Sequence, residues 1–336
     1  MTRARSSHYH TPARITAIGS YIPERKLTNQ DLEQLIETTD EWIVQRTGIS
    51  ERRISAENEY CSDLCFAAVR NMVSNYPIQL EDVDYIIVAT TTPDTFFPQM
   101  AARVQAEFGI GSSGAIDVQA ACAGFTAGLQ LAGGLIATRQ HRKILVIGAE
   151  TLSKITDYTD RTTCILFGDG AGAVLVEADE DMEPSWLNSY AQTDGNEGHH
   201  LYRSSLAPSI GQTPIVQNGY IMQNGRAVYR WAISRVPESI QQFLDQSGIS
   251  AQDIDWFIPH NPNMRIIEAV SERTGIPLDR TVTTLSYTGN TSAASIPIAL
   301  HAAVQDGRIQ PGQLLLLYGF GGGLSQAGLL LRWNLS

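Results

Sequence analysis

Charge is scarce in this sequence: Asp, Glu, Lys and Arg make up 18% of 336 residues, against about 25% in an average soluble chain, so much of it is destined for a buried interior. The charge that is present leans acidic, with 24 Lys and Arg against 35 Asp and Glu, which lacks the basic footprint of a nucleic-acid binder. With 43% hydrophobic residues the chain is also unlike a disordered one. Four cysteines, Cys61, Cys65, Cys122 and Cys164, are too few for a disulfide framework in a chain this long, and none has the paired spacing of a zinc site. This usage reads as the reducing cytoplasm. The scattered carboxylates and His199-His200 also lack metal-ligand spacing, so no metal is expected. Long apolar runs are missing too. The most apolar stretch, 120–137, contains Thr126, Gln130 and four glycines and reads as a buried core helix, not a membrane span. The basic N-terminus lacks the long apolar core of a secretory signal, and residues 1–14 are expected to form a tail.

What the sequence does have is an internal repeat. Glu81-Asp-Val-Asp-Tyr-Ile-Ile-Val matches Gln252-Asp-Ile-Asp-Trp-Phe-Ile-Pro, 171 positions later. The same shift lays 144–148 on 315–319, and Ala120-Ala-Cys-Ala-Gly-Phe on Thr291-Ser-Ala-Ala-Ser-Ile. The runs 85–89, 144–147 and 314–317 are continuously apolar, as in strands covered on both faces. The small-residue helices after Ala121 and Ser292 are apolar all round, which places them between layers. Two duplicated α/β halves packed through these helices give an α/β/α/β/α body. The N-terminal half is expected over 15–180 and the C-terminal half over 181–336, the boundary falling in the acidic stretch 179–183.

Cys122 stands where a buried strand turns into a helix, and a helix N-terminus favours thiolate through its dipole and free N–H groups. It is the candidate nucleophile, against the plainer reading of a small core cysteine. For Cys61, Cys65 and Cys164 the core reading is kept. His260 closes the repeated strand of the second half, where the first half has Ala89; the C-terminal ends of such strands are where α/β proteins hold ligands. Asn290 precedes the counterpart of Cys122 by three residues, so the duplication brings Cys122 and Asn290 towards one point. Phe320-Gly-Gly-Gly-Leu follows the last repeated strand, where it serves either as an oxyanion-binding turn or only as a tight turn. Gly168-Asp-Gly-Ala-Gly-Ala approaches a dinucleotide fingerprint with its third glycine misplaced and no ribose-binding acid, so nicotinamide and flavin are not expected.

Taken together, these motifs resemble the β-ketoacyl-acyl carrier protein synthase III family of the thiolase-like superfamily, over about residues 15–333, and most closely its Bacillus-type second isoform. The resemblance is carried by Asp40-Glu-Trp-Ile-Val-Gln-Arg-Thr-Gly-Ile, Ala120-Ala-Cys-Ala-Gly-Phe, Thr159-Asp-Arg, Phe167-Gly-Asp-Gly-Ala-Gly-Ala, the His260 segment, Gly289-Asn-Thr-Ser-Ala-Ala-Ser and Phe320-Gly-Gly-Gly. It implies the thiolase-like five-layered α/β/α/β/α fold. It also implies that Cys122 takes an acyl group from acyl-CoA and passes it to malonyl-acyl carrier protein with loss of carbon dioxide, initiating fatty-acid biosynthesis. His260 and Asn290 would stabilise the carbanion, N–H groups of Cys122 and Gly322 would form the oxyanion hole, and Phe320 would lie against the nucleophile. Trp42 and Arg161 would sandwich the CoA adenine with Arg46 and Thr47 nearby, and Asn263 would support pantetheine. Phe97 would close the acyl pocket of the partner in a homodimer. Acyl-CoA is a substrate in this scheme, and no resident cofactor is implied.

Arg226, Arg230, Arg265 and Arg273 are the candidates for docking the acidic carrier protein. Three positions depart from the family pattern: His260-Asn-Pro-Asn, with Pro262, replaces the common His-Gln-Ala-Asn, Thr162 replaces a glycine, and Glu272 stands where many relatives carry lysine. An ester- or amide-forming acyltransferase and a catalytically silent dimer therefore stay open as alternatives. A degradative thiolase needs a second cysteine near the C-terminal glycine turn, and an elongating synthase a second histidine at position 290; the sequence has neither.

Overall fold

The computed structural model describes residues 11–179 and 184–335. Residues 1–10 of the expected tail and the expected boundary at 180/181 lie outside them. Residues 11–14, assigned to that tail, are structured. Thr11 is buried and bridges Trp186, and β1 (Ala13–Tyr21) starts before Ile15, since Ala13 and Ile15 turn the same face of the strand into the core.

After β1 the first half runs through α1 (Asp40–Thr47), α2 (Cys61–Asn75), β2 (Tyr85–Ala89), α3 (Met100–Glu107), β3 (Gly114–Val118), α4 (Gly124–Ala137), β4 (Lys143–Thr151) and β5 (Asp169–Ala178). Its sheet has the order β1-β5-β4-β2-β3, parallel from β4 to β3 and antiparallel around β5. The second half contributes β6 (Trp186–Thr193), α5 (Gly225–Ser247), β7 (Trp256–Pro259), α6 (Met264–Thr274), α7 (Ser295–Gln305), β8 (Leu314–Gly321) and β9 (Ser325–Arg332). Here the order is β7-β8-β9-β6. The place that β3 takes in the first sheet is reduced to one parallel bridge between Phe257 and Thr281.

The repeat read from the sequence is the repeat of the fold. Shifting by 171 carries the first residue of β2 to that of β7, of β4 to that of β8, and of α4 to that of α7. Each buried helix is preceded by a 3-10 turn, Ala121–Ala123 or Ser292–Ala294. Ala121 has φ 45° and Ser292 φ 46°: the same left-handed backbone, sparsely used by non-glycine residues, at the same place in both copies.

Strand periodicity assigns alternate residues to different layers. Leu315 and Leu317 of β8 pack inward with Phe125 and Leu129 of α4 and Ile296 and Leu300 of α7. Leu316 and Tyr318 pack outward with Ile240 and Phe243 of α5 and Ile266 of α6. On the other side, Ile86, Val88 and Leu145 pack against Leu64, Val69 and Met72 of α2 and Val104 of α3. Each large aliphatic side chain buried in this way stabilises the fold by about 1.5–3 kcal/mol. The result is the five-layered α/β/α/β/α arrangement, with the apolar stretch 120–137 in its middle layer. No helix among the described residues is long and apolar enough to cross a membrane.

The middle layer leaves no slack. A Cβ on Gly148 of β4 would overlap the backbone carbonyl of Ala293, in the turn that leads into α7. The carbonyl and the Cα that would carry this Cβ both belong to backbone pinned by its neighbours, so Gly148→Ala is expected to cost about 1–3 kcal/mol. A lower denaturant midpoint with unchanged slope would show it.

Candidate active site

Cys122 is the middle residue of the 3-10 turn that feeds α4. β8 runs immediately behind it: a Cβ on Gly319 would lie 2.7 Å from Cα of Ala123, and one on Gly321 2.7 Å from Sγ of Cys122. Only glycine lets the strand approach so closely. The approach leaves Cys122 7% exposed, and this reverses the expected ionisation. Burial pushes the thiol up to about 11, beyond what the Ser292 hydroxyl and the N–H groups of Gly322 and Cys122 take back, and the charge of Glu150 adds to the rise. The helix terminus carries about half a unit charge, which is too little to replace the lost water.

His260 directly follows β7, its N–H donating to the Tyr318 carbonyl at 2.9 Å. Its Nδ1 lies 2.8 Å from Oγ of Ser295, the first residue of α7. Phe320 packs edge-on against the ring, centroids 5.5 Å apart. Burial lowers the imidazole to about 3, so at neutral pH it is uncharged and carries a single N–H.

Asn290 is fixed by the glycine-rich motif that opens β5. Its N–H donates to the Leu166 carbonyl at 2.9 Å, and the Gly168 N–H donates to the Asn290 carbonyl at 3.0 Å. A Cβ on Gly168 would overlap the Thr288 carbonyl, and the Asp169 carboxylate accepts hydrogen bonds from the N–H and hydroxyl groups of Ser55 and Ser153. The motif is thus a clamp for the Asn290 turn. Oδ1 of Asn290 accepts from the Ser292 N–H at 2.9 Å, which leaves the amide NH2 as the donor.

Cys122, His260, Asn290, Phe320 and Gly321 line one cavity of about 660 Å³ that opens between α1, α5 and α6. Trp42, Arg46, Thr47, Thr162, Arg226, Pro262, Asn263 and Arg265 line the same cavity. Asn263 caps α6, accepting from the Arg265 N–H at 2.9 Å, and donates to the Arg46 carbonyl at 3.0 Å, tying α6 to α1. Pro262 leaves this cap intact, and the neighbouring Asn261 is held by Thr283 and Thr284. Thr47 is spent locally, donating to the Ile43 carbonyl and accepting from the Ile49 N–H.

Trp42 and Arg161, expected to sandwich a base, lie in direct contact. The Arg161 guanidinium lies 4.2 Å from the Trp42 ring centroid, with Arg46 at 5.6 Å. A base between two planes needs two contacts of about 3.5–4 Å each, so Arg161 has to swing aside to admit one.

Cys122 also borders a second cavity of about 780 Å³, walled by Thr91, Phe96, Leu152, Ile155, Ser292 and Gly322 and by Thr193 and residues 201–206. Phe97, beside it, is 85% exposed. The half-exposed strand β3 ends the first sheet here, and among the described residues no strand pairs with its outer edge. Arg226, Arg230, Arg265 and Arg273 are all exposed on the adjoining helices α5 and α6, with the exposed Glu272 among them. Arg226 and Arg265 reach the cavity wall, while Arg273 donates to the Ile233 carbonyl at 2.5 Å.

Three buried polar residues of the site were not singled out from the sequence. Ser292 and Ser295 are the repeat counterparts of Ala121 and Gly124, so the comparison that marked His260 against Ala89 marks them too. Glu150, at the end of β4, carries no such signal.

Family models described as 3-oxoacyl-[acyl-carrier-protein] synthase III and its C-terminal part match residues 116–195 and 244–333. The chain is 53% identical to a beta-ketoacyl-[acyl-carrier-protein] synthase III 2 of Halalkalibacterium halodurans, over 96% of this chain and 97% of the relative. It is likewise 53% identical to the protein of that name from Bacillus subtilis, over 96% and 99%. A crystal structure of the synthase III from Thermus thermophilus superposes with a TM-score of 0.91 at 42% identity, over 96% of this chain and 99% of that one.

Proposed function

This chain belongs to the 3-oxoacyl-[acyl-carrier-protein] synthase III family, the condensing acyltransferases of fatty-acid synthesis, and from that membership we propose how its residues divide the reaction. Cys122 takes the acyl group from acyl-CoA, and malonyl-acyl carrier protein then loses carbon dioxide and attacks the acyl-Cys122 thioester. The observation that carries this reading is the position of one thiol at the junction of two cavities. The acyl chain occupies the larger cavity, while pantetheine, first of CoA and then of the carrier protein, occupies the one that holds His260 and Asn290. A covalent intermediate lets the two carriers use the same channel in turn.

In the second half-reaction the enolate oxygen takes hydrogen bonds from His260 and Asn290. For the neutral imidazole this requires its proton on Nε2, with the Ser295 hydroxyl donating to Nδ1. Two donors aimed at a developing charge away from water are worth far more than in solution. The N–H groups of Cys122 and Gly322 serve the thioester carbonyl in the same way. Acyl-CoA is a substrate, and no resident cofactor takes part.

The free edge of β3, with exposed Phe96 and Phe97, is the surface by which two copies pair into a homodimer, since an unpaired strand edge is a template for its own mate. Phe97 then closes the partner's acyl cavity. The exposed arginines of α5 and α6 receive the acidic carrier protein at the channel mouth. The cytoplasm is the setting in which such a thiol remains reduced.

Trp42→Ala is expected to raise KM for acyl-CoA by about 2- to 30-fold, the worth of one cation–π stack. The turnover of enzyme already acylated should stay unchanged, which single-turnover kinetics with malonyl-carrier protein would check. The reaction itself is tested by supplying a short acyl-CoA and malonyl-acyl carrier protein together. One carbon dioxide per 3-oxoacyl-carrier protein supports the reading; acyl transfer to an oxygen or nitrogen acceptor without carbon dioxide would replace it with the ester- or amide-forming alternative.

A further inference from the structure

A proline stands inside α5. Pro237 has no N–H to give, and its ring crowds the carbonyl four residues back, which is that of Ile233. The proline also divides the helix by task. Before it, Arg226, Val228, Tyr229, Trp231 and Ala232 line the channel that leads to Cys122. After it, Ile240, Phe243 and Leu244 pack on the second sheet.

An arginine from the neighbouring helix stands in for the missing donor. Nη1 of Arg273, in the last turn of α6, donates to the Ile233 carbonyl at 2.5 Å. It does so although two carboxylates, Glu238 and Asp245, line the same groove beside α5. Glu238 pairs with Arg235 at 3.1 Å, and Asp245 accepts from the Gln241 amide at 2.8 Å. Among the described residues no carboxylate pairs with Arg273. The helix α6 is thus held at both ends: Asn263, its cap, donates to the Arg46 carbonyl of α1 at 3.0 Å, and Arg273 reaches α5. These are the three helices between which the channel opens.

We propose that Arg273 is a positioning residue: by bridging to the carbonyl that Pro237 leaves without its usual helical donor, it sets the spacing of α5 and α6 and with it the width of the channel. The inference rests on the synthase reading above, in which acyl-CoA and malonyl-acyl carrier protein use that channel in turn, and it narrows the docking surface. Arg226, Arg230 and Arg265 meet the carrier protein by charge. Arg273 contributes a hydrogen bond between helices, so its loss affects both carriers alike, and salt, which screens exposed charges, leaves that loss unaltered.

Arg273→Ala and Pro237→Ala, singly and together, test the bridge. Pro237→Ala restores an N–H one turn after Ile233, and alanine suits a helix interior, so the double variant has a donor for that carbonyl without the arginine. Arg273→Ala alone is expected to raise KM for acyl-CoA and for malonyl-acyl carrier protein by a similar factor, about 2- to 10-fold, the worth of one hydrogen bond, at low and high salt alike. Turnover of acylated enzyme at saturating carrier protein stays unchanged. Added to Pro237→Ala, the same substitution shifts neither KM. A rise confined to the carrier protein that disappears at high salt makes Arg273 a docking charge and overturns the proposal, as does an equal loss in both backgrounds or no change in either KM. Urea unfolding of the four proteins reads the bridge without substrates: Arg273→Ala lowers the midpoint of the wild type and not that of Pro237→Ala. That coupling in a protein that forms no 3-oxoacyl product contradicts the synthase reading and leaves the bridge standing; its absence overturns the bridge whatever the activity.

Discussion

Replacing Cys122 with alanine is expected to abolish the acyl-enzyme and to lower condensation by about 10⁴-fold or more, with the fold unchanged. Alanine keeps the Cβ that β8 packs against, and the glycines at 319 and 321 already accommodate it, so only the sulfur is lost. The other three cysteines do not substitute for it. Cys61 and Cys65 lie in the core between α2 and the first sheet, and Cys164 packs with Ile43 and Leu285, where burial raises it to about 11. Intact-protein mass after incubation with acyl-CoA checks the first part and the condensation assay the second. An adduct that survives in the variant and maps to Cys164 would move the nucleophile.

His260→Ala and Asn290→Ala are expected to separate the two half-reactions. Each removes one donor to the enolate oxygen, and loss of one such donor costs about 10²–10³-fold. Acylation of Cys122 does not use that oxygen, so both variants should accumulate acyl-enzyme and discharge it slowly. The double variant should lose less than the product of the single losses, because the two donors act on one atom. His260 stays uncharged above about pH 3, so its titration contributes no inflection to the condensation rate between about pH 5 and 9. Quenched-flow measurement of discharge from pre-acylated variants would check these points.

The architecture was legible because the chain states it twice. Two matching strands show their common offset, the offset assigns the helices, and continuously apolar strands require cover on both faces. The same comparison marked His260, where one copy has alanine and the other a histidine. It was not extended to Ser292 and Ser295, although the signal is of the same kind. What the sequence could not show depends on chain segments brought together from far apart. The direction in which Cys122 ionises is set by β8, about 200 residues away, whose glycines let the strand approach until water is excluded. The contact of Arg161 with Trp42 depends on packing between α1 and the loop before β5. Glu150 stands at the end of an apolar strand in a place that sequence alone would give to a solvated carboxylate; only the fold shows it fully buried and held by the hydroxyls of Thr91 and Thr92.

The measurement that bears most directly on the reading is a chase of the acyl-enzyme. Protein loaded from acyl-CoA is freed of excess substrate, mixed with malonyl-acyl carrier protein, and followed by peptide mass and by carbon dioxide release. An acyl increment on the Cys122 peptide that disappears in step with one carbon dioxide per adduct is the expected result. An increment that persists, or that leaves Cys122 without carbon dioxide, would contradict a condensing role for this site.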